Sequence, residues 1–219
     1  ITVRINGEER QYPQGATYED VANDYQKEYD NLIALATRDG KIRELFKKLT
    51  RDCEITFFTL KDDVGNKTYV RSATMLFLKA VFDVFGRETV QNCRVEFAIG
   101  NGSYISPKGK INATEENAAK IRNRMRELVE AKTPFLKKSY SLDNAMELFR
   151  REGMKDKEKL FRYRRGSFVN IYEMDGYYDY YYGYMLPNAG YVKWFDVIAY
   201  EDGFMLLLPD KKDPTHVKP

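Results

Sequence analysis

Apolar and polar positions alternate at the start of the chain, in the stretch ITVRINGEERQY. Every second residue of the first five is apolar, which is the period at which side chains share one face of a β-strand. The pair Asn6-Gly7 follows, and this dipeptide favours the two-residue turn of a β-hairpin. The chain is therefore predicted to open with a hairpin whose return strand ends near Tyr12 and Pro13.

A helix and further strands complete this first predicted unit. Thr17 is a residue type that caps helices, and Glu19 and Asp20 suit the first turn of the helix that follows it. The next stretch, LIALATRDGKIRELFKKLTRDCEITFFTL, contains an apolar run, an Asp39-Gly40 turn and two more short strands. The order of hairpin, helix and strands predicts a β-grasp domain, the N-terminal module, over residues 1–61.

Helical periods begin after a polar connection. Residues 62–70 are predicted as a linker with a turn at Gly65-Asn66. Apolar residues then recur at helical spacing over residues 72–85, and Gly86 is predicted to end that helix. Two later helices are predicted to start at the capping residues Thr114 and Ser141.

The other segments after residue 70 are predicted as strands and loops. CRVEFAIG and PFLKKSY are typical of strands, NGSYISPKGK (residues 101–110) is predicted as a loop, and residues 161–208 as rich in β-structure. Helices laid on an antiparallel sheet predict an α+β fold. We assign this second module to residues 71–209.

Composition narrows the class of protein. The chain is 43% hydrophobic and 32% charged, as an ordinary globular protein is, and its net charge of +3 does not by itself indicate nucleic-acid binding. The single histidine is His216, which argues against a histidine base or a histidine-bound metal in the folded part. Cys53 and Cys93 are far apart and are expected to be free thiols of a reducing compartment. No apolar run reaches the roughly 18 residues of a membrane span, and no secretory leader is visible, so the cytoplasm is the expected location.

Motifs for phosphate binding fail, whereas one basic stretch invites an RNA-binding interpretation. GNGSYISPKGKI contains Gly109-Lys110, but Tyr104 and Ile111 stand where a phosphate-binding loop needs a glycine and a hydroxyl residue. FRYRRGSF interleaves basic and aromatic residues, as single-stranded RNA-binding surfaces do, although an ordinary hairpin rim is the alternative. The candidate RNA contacts in this stretch are Arg162, Arg164 and Arg165.

Tyrosines are unusually dense between Tyr163 and Tyr200, and they have two interpretations. They offer a stacking platform for a base or nucleoside, worth roughly 1–3 kcal/mol for each stacked base. Alternatively, the rings fill space in the core. The candidate ligand-binding tyrosines are Tyr178, Tyr180 and Tyr182. Carboxylates that offer an acid–base pair, but no nucleophile, are Glu173, Asp175 and Asp179.

Several stretches in one order resemble the front part of threonyl-tRNA synthetase. VRINGEERQYP, ATYEDVA and IALATRDGKIRELFKKLTRDCEITFFT are similar to its TGS domain. RSATMLFLKAVFDVFG stands where the editing domain of that enzyme carries an HSxxHLL helix, and DYYYGYMLPNAGYVKWF matches its D-x-C-R-G-P-H-x-P-x-T-G turn. The resemblance covers nearly the whole chain. It implies a TGS β-grasp domain followed by a two-layer α+β domain with an antiparallel sheet, like the second additional domain of threonyl- and alanyl-tRNA synthetases.

The metal ligands of that family are missing here. The resemblance places the family's two helical histidines, its cysteine and its third histidine at Arg71, Met75, Tyr181 and Met185. A guanidinium has no lone pair to offer, a phenol deprotonates only near pH 10, and thioethers suit copper(I) better than zinc. We therefore expect a degenerate site with no metal, no catalytic residue and no metal-dependent hydrolysis. Gly183, Pro187 and Gly190 remain, as the turn requires.

A TGS domain followed by such a degenerate domain resembles the N-terminal region of the uridine kinase-like nucleoside kinases, in the phosphoribulokinase and uridine kinase family. That resemblance implies a non-catalytic region that binds RNA or a nucleotide and regulates a kinase domain further along the same chain. Residues 210–219 would begin the linker to that domain, which would use ATP and Mg²⁺ to phosphorylate a nucleoside; this chain itself is expected to hold no cofactor and to have no membrane partner. There are two alternatives. The first is a stand-alone module that binds RNA or tRNA, or a degenerate editing domain without zinc. The second is a metal-free hydrolase that uses Asp179 and Tyr181.

Overall fold

The structure opens with the predicted hairpin and helix. The computed structural model describes residues 1–100, 102–163 and 166–218. Strand β1 (Thr2–Ile5) pairs antiparallel with β2 (Glu8–Gln11). Asn6 and Gly7 lie between them with φ angles of 51° and 86°, which a tight hairpin turn requires. Helix α1 (Tyr18–Tyr25) follows, and Thr17 and Asp20 form a capping box at its start.

Four short strands complete the N-terminal module. They are β3 (Ile33–Arg38), β4 (Lys41–Glu44), β5 (Cys53–Glu54) and β6 (Phe57–Thr59). One sheet has the order β2-β1-β5, with β5 parallel to β1, and a second has the order β4-β3-β6. Strand β3 is buried on both faces: Ile33 and Ala36 join the core of the N-terminal module, whereas Ala34 and Leu35 join the larger core formed mainly by later residues. The two modules therefore pack on opposite faces of one strand.

The next helix begins earlier than predicted. Helix α2 spans Asp63–Phe85, so most of residues 62–70 are helical and there is no turn at Gly65-Asn66. Gly65 lies against the Thr59 carbonyl, where an added Cβ would be 2.0 Å from the oxygen. The missing side chain thus lets the helix pack closely on the end of β6. Gly86 ends α2 as predicted, with a φ of 86°.

A four-stranded antiparallel sheet follows the short helix α3 (Arg87–Asn92). Its order is β12-β13-β8-β7, formed by β7 (Arg94–Ile99), β8 (Gly102–Ser106), β12 (Asp196–Tyr200) and β13 (Gly203–Leu207). Strand β8 corrects the prediction of a loop over residues 101–110. Gly102 lies within this strand, where an added Cβ would be 2.7 Å from the Met205 sulfur on the neighbouring strand. Asn101 lies outside the described residues.

The rest of the second module alternates helices with a three-stranded sheet. In chain order its elements are α4 (Glu115–Glu130), β9 (Leu136–Ser141), α5 (Leu142–Arg151), α6 (Lys155–Arg162), β10 (Phe168–Met174) and β11 (Tyr177–Asp179). Thr114 and Ser141 cap α4 and α5 as predicted. The sheet order is β11-β10-β9. The predicted mixed α and β architecture with antiparallel sheets is confirmed.

Helix α6 was not predicted: no element was assigned between Gly153 and Phe161, and residues from 161 onward were assigned to β-structure. Phe161 lies instead in the last turn of α6, where its ring centroid is 5.5 Å from that of Phe149 and 5.1 Å from that of Tyr180. Burial of one aromatic face therefore fixes this short helix. None of the described helices combines the length and the apolar composition that crossing a lipid bilayer requires.

Candidate functional site

The tyrosine-rich segment (residues 177–185) begins at a tight hairpin. Asp175 and Gly176 reverse the chain between β10 and β11 with φ angles of 44° and 80°. Strand β11 pairs with β10 so that Tyr177 lies opposite Met174 and Asp179 opposite Tyr172. After Asp179 the segment leaves the sheet and runs beside helix α2, which anchors it at several points.

Arg71 of helix α2 clamps the end of the segment. Its Nη1 donates a hydrogen bond to the Tyr184 carbonyl at 2.6 Å. The guanidinium also covers Gly183, where an added Cβ would be 2.6 Å from Cζ of Arg71. Burial lowers the pKa of Arg71 from its ordinary value, while Tyr172 and Glu44 act in the opposite direction. This side chain has a structural contact in place of the metal bond that the family resemblance implied at its position.

The other predicted metal positions hold side chains that suit packing better than coordination. Met75, one turn further along α2, and Met185 are completely buried, and the Met185 sulfur lies 3.8 Å from the Ser72 hydroxyl. The Tyr181 hydroxyl is buried without a hydrogen-bond partner among the described residues. Burial, and then the charge of Asp179, raise the pKa of Tyr181 well above its ordinary value, so the phenol is neutral near pH 7.

These four side chains do not fit the zinc ion that the family resemblance implies. Zinc takes thiolate, imidazole or carboxylate ligands, and none of the four positions supplies one. Within residues 1–100, 102–163 and 166–218, no group of three or more His, Cys, Asp and Glu side chains could hold a metal ion. The side chains at these four positions therefore do not support zinc-dependent chemistry.

Ser72 is an anchor that the sequence analysis missed. Its hydroxyl donates to the Thr68 carbonyl at 2.8 Å and accepts from the Leu186 N–H at 3.0 Å. The second bond joins helix α2 to a residue 114 positions away. No local pattern marks such a contact, because its partner lies 114 positions away in the sequence.

Glu44 is a second missed anchor, and it belongs to the N-terminal module. Its side chain is 3% exposed at the end of β4. Oε1 accepts from the Tyr172 hydroxyl at 2.5 Å and from the Met185 N–H at 3.1 Å. Oε2 accepts from Lys137 Nζ at 2.9 Å. A carboxylate of one module thus holds the segment of the other.

A cleft of about 400 Å³ opens beside the segment. Asp179 lines it and is 2% exposed; its Oδ2 accepts from the Tyr177 hydroxyl at 3.0 Å. Its Oδ1 accepts from the Tyr180 N–H at 2.7 Å and forms an ion pair with Lys157 at 3.1 Å. Further lining residues come from α2, α3, β7 and the start of α6, and they include Arg71, Thr74, Leu78, Gln91, Arg94 and Asp156.

The predicted carboxylates do not form a hydrolytic centre with a nucleophile. Both oxygens of Asp179 already accept hydrogen bonds, and the neutral Tyr181 phenol is a poor base and a poor nucleophile at neutral pH. Asp175 instead fixes the hairpin turn, because its carbonyl accepts from the buried Lys79 Nζ at 2.7 Å. Glu173 lies on β10 opposite Tyr178. The contacts of Asp179 and Asp175 therefore indicate that these residues stabilise the local fold.

Tyr182 is the most exposed aromatic residue of the segment. Its side chain is 86% exposed, although its neighbours on both sides are packed. Together with Tyr180 and Tyr181, it lines the cleft and also a second depression of about 310 Å³, to which Lys137 and Asn170 contribute. Tyr182 therefore lies between two hollows whose linings each include a lysine.

Among the described residues, the other predicted site residues either pack against neighbouring side chains or lie away from the cleft. Tyr178 is partly buried, and Tyr180 meets Phe161 edge to face. Arg162 ends helix α6 and pairs with Glu158 at 3.2 Å, and it does not line the cleft. Two predicted RNA contacts lie outside the described residues, namely Arg164 and Arg165.

Comparison with known proteins identifies similar sequences among threonine–tRNA ligases. No family model matches the chain. The threonine–tRNA ligase of Thermotoga maritima is 29% identical over 204 residues, which are 91% of this chain and 30% of that enzyme. Those of Maricaulis maris and Porphyromonas gingivalis are 28% identical over 186 residues and 23% identical over 194 residues, covering 84% and 86% of this chain.

This chain spans about 30% of the length of the relatives that it matches. The similarity extends over both modules and agrees with the synthetase-like part of the resemblance drawn from the motifs. It gives no support to the nucleoside-kinase part. What the comparisons establish is therefore similarity to part of the threonine–tRNA ligases.

Proposed function

We propose that this chain is a tRNA-binding module that receives the single-stranded 3′ end of a tRNA in the tyrosine-lined cleft. It binds this end without the metal-dependent hydrolysis of an editing domain. One observation carries the proposal. Tyr182 is 86% exposed between two hollows. Its sequence motif resembles the editing-site turn of the threonyl-tRNA synthetases. The synthetase relatives supply the class of ligand, because their name specifies tRNA.

The chemistry of the cleft suits an unpaired nucleotide. Aromatic faces stack on bases without regard to their sequence, and lysine and arginine attract the phosphates between them. Tyr182 provides the exposed face, while Lys157 and Arg71 line the cleft on one side of it and Lys137 lines the depression on the other. A volume of about 400 Å³ accommodates a small ligand of nucleotide size. The expected role is recognition of an RNA end without turnover.

The test is a titration of fluorescently labelled tRNA with the full chain at low salt. Tyr182→Ala is expected to weaken the affinity about tenfold or more, because it removes one stacking face. Tyr200→Ala is the matched control: this tyrosine is partly exposed on β12, does not line the cleft, and its loss should change the affinity by no more than about twofold.

The RNA itself provides a second arm of the test. A tRNA from which the unpaired 3′ nucleotides have been removed should bind more weakly, to a similar extent as the Tyr182→Ala variant binds intact tRNA. The proposal is wrong if the wild-type chain does not bind tRNA. It is also wrong if removing the 3′ end and removing Tyr182 both leave the affinity unchanged.

A second candidate function follows from the nucleoside-kinase resemblance. The feature that favours it is that all four positions to which the resemblance assigns metal ligands hold other side chains, while Gly183, Pro187 and Gly190 remain. Such a pattern suits a module retained for regulation. In that case the cleft would bind a free nucleoside or nucleotide, and the associated kinase domain would require ATP and Mg²⁺. A competition experiment separates the two functions. If the cleft is a nucleotide site, uridine or its monophosphate should displace a labelled nucleotide from the chain. If the cleft is a stacking surface for tRNA, the same concentrations should leave tRNA binding unaffected.

A further inference from the structure

We infer that Glu44 is a positioning residue through which the N-terminal module holds the tyrosine-rich segment of the second module in its binding geometry. The binding consequence of this inference rests on the function proposed above, whereas the structural part does not. It assigns to the β-grasp module a direct role in shaping a cleft that lies wholly on the other module.

The first step is that Glu44 makes its side-chain contacts outside its own module. All three partners of its carboxylate belong to the second module: the Tyr172 hydroxyl, the Met185 N–H and the Lys137 ammonium. The contacts measure 2.5, 3.1 and 2.9 Å. A carboxylate that is 3% exposed is costly to desolvate unless such donors satisfy it. Its placement therefore makes sense only when the two modules are docked.

The second step is that these bonds converge on the end of the segment. The Tyr172 hydroxyl, whose single proton lies between two acceptors, is 2.5 Å from Glu44 Oε1 and 2.9 Å from the Gly183 carbonyl, so Glu44 and Gly183 meet at the same phenol. The Met185 N–H donates to Glu44 directly. The Tyr184 carbonyl, which lies between Gly183 and Met185 in the chain, accepts from Arg71 at 2.6 Å. The backbone from 183 to 185 is thus fixed from two sides, by helix α2 and by the N-terminal module.

The third step is that the fixed backbone lies next to the proposed binding surface. Gly183 follows Tyr182 directly and lines the same depression as Tyr182 and Lys137. Lys137 itself is paired with Glu44. Releasing Glu44 would therefore free both the backbone that orients the exposed ring and the lysine beside it.

Docking of the modules does not depend on Glu44 alone. The Tyr191 hydroxyl donates to Glu19 Oε1 of helix α1 at 2.8 Å, and strand β3 contributes Ala34 and Leu35 to the core of the second module. Removal of the Glu44 carboxylate should therefore loosen the segment without separating the modules.

Amide hydrogen exchange of the full chain, resolved to single residues by NMR, tests the inference. In Glu44→Ala the Met185 amide loses its acceptor, and the Leu186 amide, whose acceptor is Ser72, keeps it. If Glu44 positions the segment, both amides should exchange about tenfold faster or more, while the amides of helix α1 keep their rates. A rate increase at Met185 alone would show that Glu44 is merely a local acceptor, and would overturn the inference.

Glu54→Ala is the matched control, since no hydrogen bond or ion pair found among the described residues joins this exposed glutamate of the same module to the segment; it should leave both amides unchanged. Tyr172→Phe is the second variant, and it serves even if Glu44→Ala does not fold. It keeps the ring but removes the hydroxyl between Glu44 and Gly183, and it should accelerate exchange at the same two amides. Unchanged exchange in this variant would also overturn the inference.

Titration with tRNA separates this inference from the proposed function. If the wild-type chain does not bind tRNA but Glu44→Ala accelerates exchange at Met185 and Leu186, the function fails and the positioning role holds. If the wild-type chain binds tRNA while exchange at Leu186 is the same in Glu44→Ala, the positioning role fails and the function holds. With both correct, Glu44→Gln, which keeps one acceptor oxygen, should restore part of the affinity that Glu44→Ala loses.

Discussion

At the scale of single residues, the candidate site shows which properties a sequence reveals and which it hides. The identities at residues 71, 75, 181 and 185 were enough to argue against a metal, because donor chemistry belongs to the side chain itself. The sequence did not reveal what those side chains do instead. Arg71 bonds to the Tyr184 carbonyl and Glu44 to the Met185 N–H, and the latter pair is 141 residues apart, beyond the reach of any local pattern.

The orphaned Tyr181 hydroxyl leads to a prediction about stability. This oxygen is buried with no partner in hydrogen-bond geometry among the described residues. The nearby Asp179 carboxylate already accepts from Tyr177 and Tyr180, so little offsets the desolvation of the phenol. Tyr181→Phe should leave the free energy of unfolding unchanged or raise it by up to about 1 kcal/mol. Urea denaturation followed by circular dichroism measures this.

Tyr177→Phe is the matched comparison for that variant. The Tyr177 hydroxyl donates to Asp179 Oδ2 at 3.0 Å, and its loss leaves a buried carboxylate short of a donor. The free energy of unfolding should therefore fall by about 1–3 kcal/mol. Equal destabilisation by both variants would mean that the Tyr181 hydroxyl has a partner in solution.

At the scale of elements, local signals predicted well and tertiary ones did not. Asn6-Gly7, Thr17, Thr114 and Ser141 mark a turn and three helix starts by bonds to residues at most three positions away, and all four were placed correctly. Strand β8, the first turns of α2 and helix α6 were missed. Each of these elements is held by packing against a distant element. Their glycines and polar residues are types that are common in loops, so the local sequence gives no sign of a helix or strand.

The start of helix α2 provides the prediction at this scale. Gly65 allows the helix to approach the Thr59 carbonyl, and a methyl group would lie 2.0 Å from that oxygen. Gly65→Ala should lower the free energy of unfolding by about 1–3 kcal/mol, although alanine favours helices elsewhere. Thermal or urea denaturation provides the measurement.

The exposed Lys67, two residues further along the same helix, is the control position. Lys67→Ala should change the free energy of unfolding by no more than about 0.5 kcal/mol. If Gly65→Ala were as stable as wild type, the close approach of α2 to β6 would not exist in solution.

At the scale of the whole molecule, the two modules are joined by a shared strand and by side-chain contacts. Strand β3 is shared between two cores, Glu44 crosses from one module to the segment of the other, and Tyr191 returns a bond to helix α1. The motifs predicted the order of the modules but not the contacts between them. Such contacts join residues far apart in the chain, so they produce no repeating pattern of apolar residues in the sequence. Arg71, Ser72 and Glu44 hold the turn at the cleft through hydrogen bonds to its backbone.

The most direct measurement is tRNA affinity before and after exhaustive treatment of the chain with a metal chelator, with zinc added back as a third condition. The account predicts the same dissociation constant in all three, and the same weakening by Tyr182→Ala in each. Binding that is lost with the chelator and restored by zinc would contradict recognition by a metal-free tyrosine cleft.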